Sequence, residues 1–320
     1  MNTNQSALSG AVPVTTEPSH GKSKAKLDGH PLMPYLLVAP ATLYLIVFQV
    51  YPLFQELWLS FTATSLLNSS QSQWIGLENY RELFSDPDFR KSILITLVYT
   101  ITCVFSAVTL GLLSALLLDS PFFGRGFARA VVTIPWAAPP VAVALVAIWI
   151  YNAQYGIFGH ILRFFGIQAG TVNWLDSPEL ALVAVLLTTV WQIFPFASVV
   201  LLAALQGVSH EQREAAIIDR ADRLSVFKAV VWPTIKPSVM LLALFSTIWS
   251  LRRFDLIWLL TQGGPVGSTN TLVIDVYRRA FVNQQLGQAA TVGMVGVAIA
   301  LVVTVIYFRY TANVEKAGER

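Results

Sequence analysis

The chain has 320 residues, of which 55% are apolar and 12% charged, and its formal net charge is only +3. Charged residues run at about half the quarter usual in water-soluble domains, and the mean hydropathy of +0.60 excludes an ordinary globular protein. So small a net charge gives no support to nucleic-acid binding, and the single cysteine, Cys103, excludes an intrachain disulfide.

Residues 1–33 are rich in Ser, Thr, Gly, Pro and Lys and read as a disordered tail. Gly21-Lys22-Ser23 has the end of a phosphate-binding loop, but the glycine required five residues earlier is Thr16. The first apolar run, 35–61, is too long for a signal-peptide core and predicts a retained helix over 34–62. Further apolar runs follow at 92–118, 127–150, 179–205, 237–260 and 287–309. Each reaches the roughly 20 residues needed to cross a bilayer, and none carries the charged face of a soluble amphipathic helix. The pattern predicts an all-α polytopic membrane protein with six transmembrane helices, the last five in a core over 90–310, and a short tail over 311–320. Cys103 falls inside the second run.

Pro40, Pro52, Pro135, Pro139, Pro140 and Pro195 fall in these runs, each removing a helix hydrogen bond. They fit helices that rock around a cavity and equally fit permanent bends. Lys and Arg distribution sets the orientation. Arg81, Arg90, Lys91, Arg163, Arg278 and Arg279 fall on one side, and thirteen others on the side of the termini; Arg252 and Arg253 lie within a run. Both termini and the loop over 206–233 are therefore expected in the cytoplasm.

That loop is polar and alanine-rich. Ser209 with Gln212 forms a capping-box signature, and Glu211 and Glu214 suit the positive start of a helix. Asp222 is placed to cap a second short helix, with Leu224, Phe227 and Val231 on one face toward the membrane, and Pro233 is expected to stop it. His210-Glu211 opens like a zinc-protease helix, but the second histidine position holds Glu214. The remaining histidines, His20, His30 and His160, are isolated. No metal site and no catalytic cluster emerge, and the chain is not expected to be an enzyme.

The fifth run holds Arg252, Arg253 and Asp255 in apolar surroundings, and charges inside a membrane are costly unless they face a cavity or partner. Arg252 and Asp255 have the spacing to pair. Ser246, Trp249, Ser250 and Arg253 share one helical face, a mixture of aromatic plane, hydroxyls and guanidinium that suits a polyol. Arginine there also admits an acidic sugar derivative. Packing of Trp249 and pairing of Arg253 with another subunit is the competing reading.

Glu214, Ala215, Ala216, Asp219, Ala221, Phe227 and Pro233 together resemble the EAA loop of ABC importer permeases. Arg220 stands where that family usually has glycine. Thr261-Gln262-Gly263-Gly264-Pro265, Thr271-Leu272, Tyr277, Ala280-Phe281 and Gly287 are similar to carbohydrate-type permeases of the maltose and glycerol-phosphate kind, as are Tyr155-Gly156-Ile157 and Trp174-Leu175. The resemblance covers the chain from about residue 35 and implies the type I importer permease fold in a bacterial inner membrane. It implies that the short helix at Glu214–Ala221 docks an ATPase dimer, which itself binds ATP and Mg, this chain holding no cofactor. A second, homologous permease, an extracytoplasmic solute-binding protein and a sugar substrate complete the expected assembly. The family's transmembrane substrate site implies a pathway at Gln192, Ile193 and Phe196 beside Pro195, together with Ser246, Trp249, Ser250 and Arg253. A non-sugar importer with the same fold is the alternative. A proton-coupled transporter is disfavoured by the scarcity of buried acids, and a membrane enzyme by the missing His, Asp or Cys cluster.

Overall fold

The computed structural model describes residues 33–68 and 72–318, and most of the tail read over 1–33 lies outside them. The described residues divide into two units, one ending at Pro52 and the other beginning at Leu53. The first helical run, α1 (Met33–Ser60), bridges this division. Its π-helical turn Ile46–Val50 comes just before Pro52, and the Tyr51 N–H reaches back to the Ile46 carbonyl. Widening the turn there lets the helix continue past a residue with no N–H.

In the second unit, strands β1 (Thr62–Ala63) and β2 (Gln73–Trp74) pair antiparallel, Thr62 opposite Trp74. Helix α2 spans Glu78–Ser85 and α3 spans Pro87–Asp119. The start of α3 follows its sequence: Asp86 accepts the Asp88 N–H at 2.9 Å, and Pro87 takes the first helical position, where no donor is needed. At its far end, Arg129 donates to the Leu118 carbonyl at 3.0 Å and Arg125 to that of Asp119 at 3.4 Å. These carbonyls have no partner within the helix. Then come α4 (Arg125–Ala137), α5 (Pro140–Tyr151) and the short α6 (Ile157–Phe164). Helix α7 (Ala181–Gln206) lies along α3 so closely that a Cβ on Gly111 would sit 2.5 Å from that of Ala197. Helices α8 (His210–Ile218), α9 (Arg223–Leu251), α10 (Asp255–Thr261), α11 (Leu272–Tyr277) and α12 (Leu286–Gly318) complete the unit.

Among the described residues five helices are long and apolar enough to cross a membrane, and the α4–α5 pair, bent by 95°, brings the count to six when its two halves are taken as one span. The run expected as the third span is thus bent sharply at Pro139 and Pro140, among the prolines expected to bend it. Pro195 lies inside α7 without breaking it. Pro233 does not stop the second loop helix, because the π-helical turn Phe227–Val231 precedes it and carries α9 unbroken into the fifth span. That span instead ends early, at Leu251, and resumes as α10. On α9, Phe227 and Val231 pack against α3 and α7 within the protein, whereas Leu224 is exposed.

At the end of the bundle opposite the 206–233 loop, Arg279 uses its whole guanidinium. Nη2 donates to Asp86 at 2.7 Å, Nε to both oxygens of Asp275 at 3.2 Å, and Nη1 to Gln288 at 3.0 Å. The group joins the start of α3 to α11 and α12. Burial by itself would raise the Asp86 carboxyl, but Arg279 and the helix-start N–H groups outweigh it and hold it below the usual range. Burial raises Asp275, only partly opposed by Arg279. The signs are opposite: Asp86 contributes stability that is lost as pH falls through its lowered value, whereas the Asp275 contribution is lost as pH rises through its raised one. Arg279→Gln leaves both acids facing one another without a cation. It should destabilise the detergent-solubilised protein by about 3 kcal/mol at neutral pH. Thermal melts should show a smaller loss near pH 4, where the abandoned carboxyls take up protons.

Candidate functional site: a cavity between two broken spans

A cavity of about 650 Å³ opens between the two helix breaks and α7, within the range of small-molecule sites. The first break is dictated by sequence. Pro139 and Pro140 supply no N–H groups, and Ala138 adopts the extended conformation (ψ 133°) imposed on a residue before proline. Pro140 then starts α5 at the position where proline is best tolerated. The second break, at Arg252–Phe254, contains neither glycine nor proline. The Arg252 and Arg253 N–H groups turn back to the Trp249 and Ser250 carbonyls at 3.3 Å, closing α9 with tighter bonds before Asp255 starts α10.

Gln192 on α7 connects the two. Its Nε2 donates to the Ala138 carbonyl at 3.2 Å, and its Oε1 accepts from Arg253 Nη2. The residue is almost wholly buried, and both arms of the amide serve groups freed by a helix break. Arg253 Nε also lies 3.5 Å from Asp255 Oδ1. The intrahelical pair expected between Arg252 and Asp255 is therefore made by Arg253 instead, because the helix ends before position 255.

Of the residues singled out in sequence, Gln192, Ile193, Trp249, Ser250 and Arg253 line one cavity. Phe196 stands behind it, its ring 5.0 Å from Trp249 and 5.4 Å from Trp136. Ser246 is buried and does not line the cavity. Trp249 also stacks on Phe245 at 6.3 Å, yet remains 44% exposed, so aromatic neighbours brace the ring while part of it stays open. Tyr99, Trp136, Ala138, Pro140, Thr189, Arg252, Phe254 and Asp255 complete the lining and were not assigned to it in advance. Thr189 was findable, since Thr189, Gln192, Ile193 and Phe196 share a helical face. Tyr99, which shares a 3.0 Å hydrogen bond with Thr189, gives no such signal from the second run.

The second candidate site is the loop. Ser209 Oγ accepts the Gln212 N–H at 3.4 Å, and Asp222 Oδ1 accepts that of Ser225 at 3.3 Å, so both expected caps form. Arg213 reaches Asp119 at 3.2 Å and the Leu205 carbonyl at 3.1 Å, fastening α8 to the ends of α3 and α7. Glu214 and Ala215 are left facing outward, Glu214 within 3.2 Å of His210 Nδ1, and Ile218 is 80% exposed. Asp219, Arg220 and Pro233 are also exposed, with Ala216, Ala221 and Phe227 partly covered. Helix α8 closes when the Ala221 N–H bonds to the Ala216 carbonyl at 3.0 Å, with Arg220 left-handed at φ 58°. This is the helix-ending motif in which glycine usually occupies the left-handed position. Among the described residues, no group of three or more His, Cys, Asp or Glu side chains could hold a metal.

The family profile for the binding-protein-dependent transport system inner membrane component matches residues 107–317. The sulfoquinovosyl glycerol transport system permease protein of Agrobacterium fabrum is 33% identical over 281 residues, covering 88% of this chain and 91% of that protein. The trehalose/maltose transport system permease protein of Thermococcus litoralis is 34% identical over 284 residues, covering 89% and 92%. A crystal structure of a bacterial ABC transporter involved in the import of the acidic polysaccharide alginate contains a chain of the same fold, with a TM-score of 0.74 at 22% identity, covering 88% of this chain and 95% of that one.

Two substitutions test the geometry. Arg220→Gly relieves a left-handed arginine and should stabilise the protein by about 1 kcal/mol, read as a raised melting temperature. Gln192→Leu leaves the Ala138 carbonyl and the Arg253 guanidinium without their shared partner and should cost about 2 kcal/mol or more. The same melts in detergent measure both.

Proposed function

Because the chain belongs to the inner membrane components of binding-protein-dependent transport systems, a family of transport subunits and not enzymes, we propose that it forms part of the pathway by which an ABC importer moves a sugar or sugar derivative. The observation that carries the reading is the Gln192-tied cavity at mid-span, with an exposed tryptophan ring beside hydroxyl, amide and guanidinium groups. A sugar presents apolar ring faces between hydroxyls, and these groups match both. The relatives named for sulfoquinovosyl glycerol and for trehalose and maltose support the sugar class.

In this reading Gln192, Ile193, Trp249, Ser250 and Arg253 contact cargo, while Phe196 and Ser246 support them from behind. The outer face of α8, with Glu214, Ala215 and Ile218 exposed and Ala216 partly covered beside them, seats in an ATPase subunit. Asp219, Arg220 and Ala221 form its turn, and Phe227 and Pro233 lie on the helix that leaves it. ATP and Mg bind to the ATPase pair. A second permease supplies the other half of the pathway, and a solute-binding protein delivers cargo from outside. Both termini face the cytoplasm, in keeping with the Lys and Arg distribution.

Reconstitution of the full transporter separates these roles. Trp249→Ala should lower ATP-driven sugar uptake about tenfold through loss of a stacking surface, with complex recovery unchanged. Glu214→Lys reverses charge in the first turns of α8 and should reduce the ATPase recovered with the permease. Normal uptake by both variants would contradict the assignment. Impermeant thiol labelling of Arg81→Cys from outside and Gln212→Cys only from inside, with Cys103 replaced, tests orientation; reversed labelling would remove any basis for ATPase contact.

A further inference from the structure

Resting on the sugar reading, we infer that the cargo of this cavity carries a negative charge, an oxyanion group that Arg252 and Arg253 bind together. The charged residues of the lining are Arg252, Arg253 and Asp255, two cations against one anion. Asp255 lies against Arg253, at 3.5 Å from Nε, and Gln192 takes up Nη2. Arg253 is thus largely engaged within the protein. Arg252 is exposed on the cavity wall, and no acidic side chain lies within 4 Å of it among the described residues.

An unneutralised arginine within a span costs about 2.5–3.5 kcal/mol. Its place at the end of α9, where the helix dipole favours a cation, returns only about 0.3–1 kcal/mol. A neutral polyol needs donors and acceptors but no surplus positive charge, and hydroxyl or amide side chains would serve it at lower cost. Two adjacent guanidinium groups, Arg252 exposed on the cavity wall and Arg253 behind it, offer N–H donors that suit carboxylate, sulfonate or phosphate oxygens. The partly open rings of Trp249 and Trp136 lie in the same cavity and offer apolar surfaces on which a sugar ring would stack. The arrangement therefore favours an acidic, sulfonated or phosphorylated sugar over its neutral counterpart.

The test uses the complete transporter with its own binding protein in proteoliposomes. It is supplied with matched sets of one glycoside as the neutral sugar, its uronate, its 6-sulfonate and its 6-phosphate. Uptake should be confined largely to an anionic member, and the member preferred identifies the oxyanion. Arg252→Gln should reduce that uptake about tenfold or more at unchanged complex recovery, with Arg252→Lys restoring part of it. The binding protein is the same in every arm, so the change reports on the permease. Preference for the neutral member, or undiminished anionic uptake by Arg252→Gln, would overturn the inference while leaving sugar import standing. Collapse of the complex in Arg252→Gln would assign Arg252 to the permease interface and overturn it too. Uptake of no member would remove the sugar reading, and this inference with it.

Discussion

The side-chain amide of Gln192 is the interaction on which the middle of this structure turns. A span that breaks inside a bilayer exposes backbone groups that lipid cannot satisfy. Here one break leaves the Ala138 carbonyl without a helical partner, and the other delivers the Arg253 guanidinium into the protein. Gln192 donates to the first and accepts from the second. The two discontinuities are thus held on either side of one unbroken helix, and the space between them is the cavity.

The two ends of the bundle are held by different chemistry. One is tied by the Arg279 guanidinium and its two carboxylates. The other is tied by Arg213 on Asp119 and by arginines that close the end of α3. Helix α9 links the second end to the cavity. Its 29 residues span about 43 Å at 1.5 Å per residue, from the cap at Asp222 to the wall at Trp249 and beyond. The π-helical turn before Pro233 is what keeps that rod in one piece. A single helix therefore connects the loop to the residues proposed to hold cargo.

Much of this was legible in the residues. Six apolar runs account for the spans, Ser209 and Asp222 for the loop caps, and Arg220 in place of glycine for a strained turn. Pro139-Pro140 announced the first break, though not its 95° angle, because proline forbids hydrogen bonds without fixing the path that follows. The second break was not legible. Arg252, Arg253 and Phe254 carry no helix-breaking chemistry, and the helix ends there by tightening its last turns. Pairing Arg252 with Asp255 assumed a continuous helix, and the break moved the partner to Arg253. Pro195 and Pro233 misled in the opposite sense. Proline removes one donor without obliging a helix to end, and before Pro233 a single wide turn accommodates the loss. Tyr99 and Trp136 reach the cavity only through tertiary packing, which no local pattern records.

Whether this cavity holds cargo is decided by a structure of the assembled transporter, determined with its binding protein and transported sugar and trapped by a hydrolysis-deficient ATPase pair. Ligand density between Gln192, Trp249 and Arg253 is the expected result. Density along another path through the membrane, with this cavity empty, would contradict the account.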